Sequence, residues 1–290
     1  MSGEAAPETR DDILRAMRRM GLDVAPNAAV VPLTGGVSSD VFRVDLADGP
    51  VCVKRALARL KVVADWRAPV DRVHNEVAWL RFAAGVMPNR VPVILGEDRD
   101  DHLFAMSFLP PEKYPVWKAL LRDGHADPAF AAAVGDAIGA IHAASAGSAE
   151  IAKTFATGDL FMALRLEPYL LYTAKAHPDR AERINAMVAS IAAARTALMH
   201  GDVSPKNILE GPDGPIFLDA ETACYGDPAF DLAFCLNHLL LKCIWVPEKR
   251  KDYGASFAAL CDAYFKRVSW EPVSDIDRRT AGILSAFLLA

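Results

Sequence analysis

Residues 199–211, MHGDVSPKNILEG, set Asp202 and Asn207 five positions apart in a loop flanked by the apolar runs Ala197-Leu198-Met199 and Ile208-Leu209. Short apolar runs bounded by turn residues read as buried strands. A further strand candidate ends at Asp219 in PIFLDAET, with Glu221 two residues on. Between them Glu210-Gly211-Pro212-Asp213-Gly214 forms a tight turn. The strands on either side then pair antiparallel, which brings Asn207 and Asp219 to the same edge. An amide oxygen with carboxylates is a hard-oxygen set suited to Mg²⁺, which takes few protein ligands and fills its shell with water and phosphate oxygens. Asp202, a loop's width away, is free to accept a proton from a hydroxyl nucleophile.

Upstream, Lys54 ends the strand candidate VCVKRAL, and Glu76 lies on the helix DRVHNEVAWL. Val73 and Leu80, three before and four after Glu76, put its carboxylate on an inward apolar stripe. A carboxylate there is costly unless it meets a cation, and Lys54 supplies one. The pair would position nucleotide phosphates. The polar turn TGGVSSD (residues 34–40) precedes a strand, so backbone N–H groups around Gly36 with Ser38 or Ser39 would cover those phosphates. None of these strings is specific alone. Their order is: glycine-serine turn, strand lysine, helix glutamate, His-x-Asp-x₄-Asn, then a strand-end aspartate about a dozen residues later. Phosphoryl transfer from a nucleotide requires those parts.

Around these motifs the chain changes texture. An amphipathic helix over residues 11–20 carries Ile13, Leu14, Met17 and Met20 and ends at Gly21. Strand-like runs follow over residues 29–33, 40–46 and 50–57, with an Asp48-Gly49 turn, then a helix over 70–84 and strands within 91–98 and 102–109. After Pro110-Pro111 the pattern is helical, over 116–122, 128–145, 160–174, 179–197, 228–242, 249–268 and from 274, interrupted only by the strand-rich island 198–220. The expectation is an α+β fold of two lobes with a cleft between them. Residues 1–109 form a nucleotide-binding lobe and 110–290 a helical lobe with the catalytic loop.

Composition narrows the partners. A net charge of −5 over 290 residues speaks against nucleic acid. The five cysteines (Cys52, Cys224, Cys235, Cys243, Cys261) are odd in number and lack a C-x-x-C pair, which fits buried free thiols in a reducing compartment. The polar, acidic start is no signal peptide, and the most apolar helical run, 228–241, contains Asp231, Asn237 and His238. A cytoplasmic chain with no membrane partner is expected. The apolar end AGILSAFLLA lacks a cap, which implies a chain that continues or an end covered by a partner.

HGDVSPKNIL together with FLDAETACYGDPAFDLAF resembles the aminoglycoside phosphotransferase and choline kinase superfamily, protein-kinase-like enzymes acting on small molecules. VKRALARLKVVADWRAPVDRVHNEVAWL and DAETACYGDPAFD look like the matching segments of 5-methylthioribose kinases. The resemblance implies a bilobal protein-kinase-like fold that uses ATP and Mg²⁺ to phosphorylate a hydroxyl of a sugar, amino alcohol or related metabolite. It makes Asp202 the catalytic base, puts Asn207 and Asp219 on the metal with Glu221 on or beside it, and pairs Lys54 with Glu76. It also places backbone groups of Ser107 and Leu109 on the adenine, with Met106 behind it, and has Asp231 brace the catalytic loop. Asp227 and Pro228 independently read as the start of that helix.

The pattern departs from protein kinases. Residues 219–231 are too few for an activation loop, no A-P-E follows, Gly201 stands where those enzymes carry arginine, and Ser204 replaces a lysine. A protein substrate is therefore not expected. Two alternatives are a nucleotide-binding pseudokinase serving regulation, and an aminoglycoside-modifying resistance kinase. The second requires an acidic pocket, and residues 146–177 contain few acids (Glu150, Asp159, Glu167). His142, His200 and His238 are expected to pack and hydrogen-bond, and Trp66, Trp117 and Trp245 to pack. Tyr225, next to the metal segment, is the aromatic to test first for substrate contact.

Overall fold

The computed structural model describes residues 4–33, 36–61 and 66–290. The chain forms two compact units, one comprising Met1–Phe82 with Pro92–Pro110, the other Ala83–Val91 with Pro111–Ala290.

The first unit begins with α1 (Pro7–Arg19), which has proline in its first turn, Glu8 near its N-terminus and Arg18 and Arg19 at its end, each favourable to the helix dipole. Then come β1 (Val30–Leu33), β2 (Ser39–Leu46), β3 (Gly49–Ala56), α2 (Arg72–Val86), β4 (Ile94–Asp98) and β5 (Leu103–Ser107). The strands form one antiparallel sheet in the order β1-β2-β3-β5-β4. Ile13, Leu14 and Met17 of α1 share a buried cluster with Val44, Val51, Val53, Leu103 and Ala105. Side chains alternate along a strand. Val51 and Val53 therefore enter that cluster, while Cys52 and Lys54 project from the opposite face.

The second unit contains α3 (Trp117–Arg122), α4 (Pro128–Ser145), α5 (Ala149–Thr154) and α6 (Gly158–Phe161). A π-helix, Met162–Leu171, runs directly from α6 into α7 (Tyr172–Ala176), and α8 (Ala181–Ala193) follows. Next are β6 (Ala197–Met199), a 3₁₀ turn (Pro205–Asn207), β7 (Ile208–Gly211), β8 (Gly214–Phe217), β9 (Cys224–Gly226), α9 (Ala229–Trp245), α10 (Arg250–Phe265) and α11 (Val273–Phe287). β6 pairs with β9 and β7 with β8, both antiparallel. Asp127 caps α4 through the Ala129 N–H at 2.8 Å. A Cβ on Gly135 of α4 would sit 2.2 Å from the Leu260 carbonyl, so glycine lets α4 and α10 cross this closely.

Two expected helices differ. The single helix over 160–174 is three segments, because Pro168 has no N–H for an α-helical bond and the wider π winding accommodates it. The helix expected to reach 197 ends at Ala193; Ala194 is already extended and Ala197 belongs to β6. Among the described residues no single helix is long and apolar enough to cross a membrane. All five cysteines are free; Cys52, Cys224 and Cys235 are buried, whereas Cys243 and Cys261 are half-buried.

Candidate active site

In the first unit, Lys54 Nζ lies 2.6 Å from Glu76 Oε2. Both side chains are buried. Beside them, burial pushes the Cys52 thiol up to about 12, which keeps it an inert hydrophobe. A Cβ on Gly36 would lie 2.3 Å from the Ser39 carbonyl oxygen, so only glycine permits this turn. Ser38 O accepts the Leu57 N–H at 3.0 Å and also the Arg72 guanidinium, which donates in addition to Leu57 O and Pro69 O at 2.8 Å each. Arg72, unremarked in the sequence, thus ties the turn to the segment after β3. The Ser39 hydroxyl is buried with no partner among the described residues. Thr34 and Gly35, the start of the expected phosphate-covering turn, lie outside the described residues.

Ser107, expected at the adenine, donates its N–H to Val93 O at 2.9 Å and accepts the Val93 N–H on its hydroxyl at 3.0 Å. Leu109 lies just beyond the end of β5, and Met106 is buried within that strand.

In the second unit, the fully buried β6 delivers His200, Gly201 and Asp202 into the loop. Asp231, in the first turn of α9, holds that loop by accepting the His200 N–H at 2.7 Å and the Gly201 N–H at 2.9 Å. His142 Nε2 donates to the same carboxylate at 3.3 Å, and its Nδ1 accepts the Tyr264 hydroxyl at 2.9 Å. His200 is wholly buried. Desolvation outweighs the nearby carboxylates and holds its pKa below the usual value, so the ring is neutral. Its Nε2 donates to Leu218 O at 3.0 Å and its Nδ1 accepts the Asp202 N–H at 3.2 Å, leaving no nitrogen for proton transfer. Gly201 has φ +79°, and a Cβ there would meet the Thr222 carbonyl at 2.6 Å. Conformation and close approach both exclude an arginine at this position.

Asp202 is 1% exposed. Its Oδ2 accepts from Arg165 Nη2 at 2.7 Å and Asn207 Nδ2 at 2.9 Å, with Lys206 Nζ at 3.1 Å. Its Oδ1 is buried with no partner among the described residues. A buried carboxylate oxygen without a donor is costly. Asn207 closes the 3₁₀ turn, and its carbonyl accepts the Leu218 N–H at 2.9 Å, extending the β7–β8 pairing toward Asp219. Asp219 adopts φ +66°, a left-handed conformation that few non-glycine residues accept and that clusters at functional sites.

Sequence reasoning missed Arg165. It projects from the π-helix, donates through Nε to Gly201 O at 3.0 Å and is buried. Burial opposes its charge, yet the field of Asp202, with Tyr169, Glu221 and Asp219 contributing, holds its pKa above the usual value. The carboxylates of Asp202, Glu221 and Asp219 thus all act on one guanidinium, and Asp202 is in direct contact with it. An arginine four residues after Phe161 on an apolar helical stripe was the available signal, since a charge there must have a partner. Tyr225 is corrected in the other direction. It is 5% exposed, and its hydroxyl donates to Thr196 O at 2.9 Å and Ser145 O at 3.1 Å, so it packs instead of facing a substrate. Trp117 is buried, whereas Trp245 is largely exposed beneath Lys242.

Known proteins resemble this chain in sequence or in fold. A methylthioribose kinase of Oryza sativa subsp. japonica is 24% identical over 221 residues, covering 67% of this chain and 51% of that protein. This chain thus spans about half the length of that curated relative. The solved choline kinase of Cryptosporidium parvum superposes with a TM-score of 0.56 at 12% identity, covering 97% of this chain and 87% of that one. An amicoumacin kinase solved with AMP-PNP, Ca²⁺ and its ligand gives 0.55 at 13% identity, covering 98% and 89% respectively. These likenesses establish a kinase-like fold, with its sheet in the N-terminal region and its helices in the C-terminal one. The sequence model of the phosphotransferase enzyme family matches residues 29–264, which include β1 to β5, the loop bearing Asp202 and the start of α9, and the chain belongs to that family.

Proposed function

We propose that this chain is an ATP- and Mg²⁺-dependent kinase that phosphorylates a hydroxyl of a small molecule, with Asp202 as the base. The observation that carries this reading is the unpartnered Oδ1 of Asp202, a buried acceptor beside an otherwise saturated Oδ2. An acceptor hydroxyl donating to Oδ1 is oriented for in-line attack. Its oxygen bonds to the γ-phosphorus, the bond from that phosphorus to the β,γ-bridging oxygen breaks, ADP departs with the electron pair, and the hydroxyl proton passes to Oδ1.

The residues present fit a divalent cation. With Nδ2 of Asn207 on Asp202, its Oδ1 is left on the other side of the amide. Asp219, held at φ +66°, and the buried Glu221 complete a hard-oxygen set. Bound Mg²⁺ would neutralise charge on the transferring phosphates. Lys54, oriented by Glu76, would hold the α- and β-phosphates, the turn at Gly36, Ser38 and Ser39 would cover them, and Ser107 O with the Leu109 N–H would meet the adenine.

Phosphorus NMR of the purified chain with ATP, Mg²⁺ and pooled hydroxyl metabolites tests this. A new phosphomonoester resonance should appear, and a chelator should abolish it. ATP binding with no transfer to any of the pooled hydroxyl compounds would favour the regulatory pseudokinase instead.

A further inference from the structure

The first unit holds two imidazoles and a carboxylate that the proposed phosphoryl transfer does not use. His74 Nδ1 donates to Glu97 Oε1 at 2.7 Å, which leaves the Nε2 lone pair facing His102 Nδ1 at 3.3 Å. His102 Nδ1 is also 3.1 Å from Asp71 Oδ1. Nitrogens bound tetrahedrally at zinc distances are roughly 3.3 Å apart. His102 is held at φ +49°, a strained conformation that persists where its surroundings fix it. We propose that Asp71, His74 and His102 bind Zn²⁺, with Glu97 fixing the His74 tautomer and water in the fourth position. Calorimetric titration of the metal-free chain with Zn²⁺ should show one equivalent bound. His102→Asn, which tolerates the left-handed backbone but removes the nitrogen ligand, should abolish that binding and leave the melting temperature without zinc near the parent value. Absence of saturable binding, or equal binding by the variant, overturns the site.

Discussion

Asp202→Ala is expected to lower kcat by about a hundredfold or more, the scale of lost general-base help, with ATP affinity little changed. The substitution removes the buried oxygen to which the acceptor hydroxyl is proposed to donate. It also leaves Arg165 and Asn207 without the oxygen that now takes 2.7 and 2.9 Å hydrogen bonds from them. Asp202→Asn separates these effects. If its carboxamide oxygen faces Arg165, the remaining NH₂ occupies the Oδ1 position as a donor and cannot accept a proton. Both variants should therefore fall together in single-turnover measurements on an identified acceptor. Normal turnover by either would remove Asp202 from the chemistry.

Asp231→Ala should instead act on stability. One carboxylate, 1% exposed, takes the His200 and Gly201 N–H groups and the His142 ring. Truncation orphans three buried donors at once, on the scale of about 3–5 kcal/mol for a broken buried polar network. For a chain of this size that corresponds to a fall of roughly 10 °C in melting temperature, readable by calorimetry. Asp231→Asn keeps one acceptor oxygen and should recover part of the loss. A melting temperature within a degree of the parent for Asp231→Ala would mean that the loop is held by other contacts.

Much of this site was legible because its parts lie close together in sequence or on one periodic face. Asn207 and Asp219 are joined by a hairpin whose turn residues are explicit, and Glu76 stands out as a carboxylate on an apolar stripe. Arg165 was not legible in the same way. Its reach to Asp202 depends on a π-helical winding that a 3.6-residue template does not describe, and the partners are 37 residues apart. The brace by Asp231 came from the family resemblance, but its link to His142 and Tyr264 was hidden, since it joins three helices through pairings of 89 and 122 residues. Tyr225 misled because adjacency to Glu221 in sequence says nothing of which way a short buried strand turns its ring. The break at Pro168 would have followed from giving the missing N–H more weight than the apolar spacing.

The winding around Pro168 also bears on the proposed base. Loss of one residue between Met162 and Leu171 would rotate Arg165 by roughly a quarter turn against the residues that follow, withdrawing the guanidinium that donates to Asp202 while β6 and the loop keep their own supports. One coil of backbone is thereby coupled to a carboxylate far along the chain, and drift there would be felt first in how that carboxylate is held.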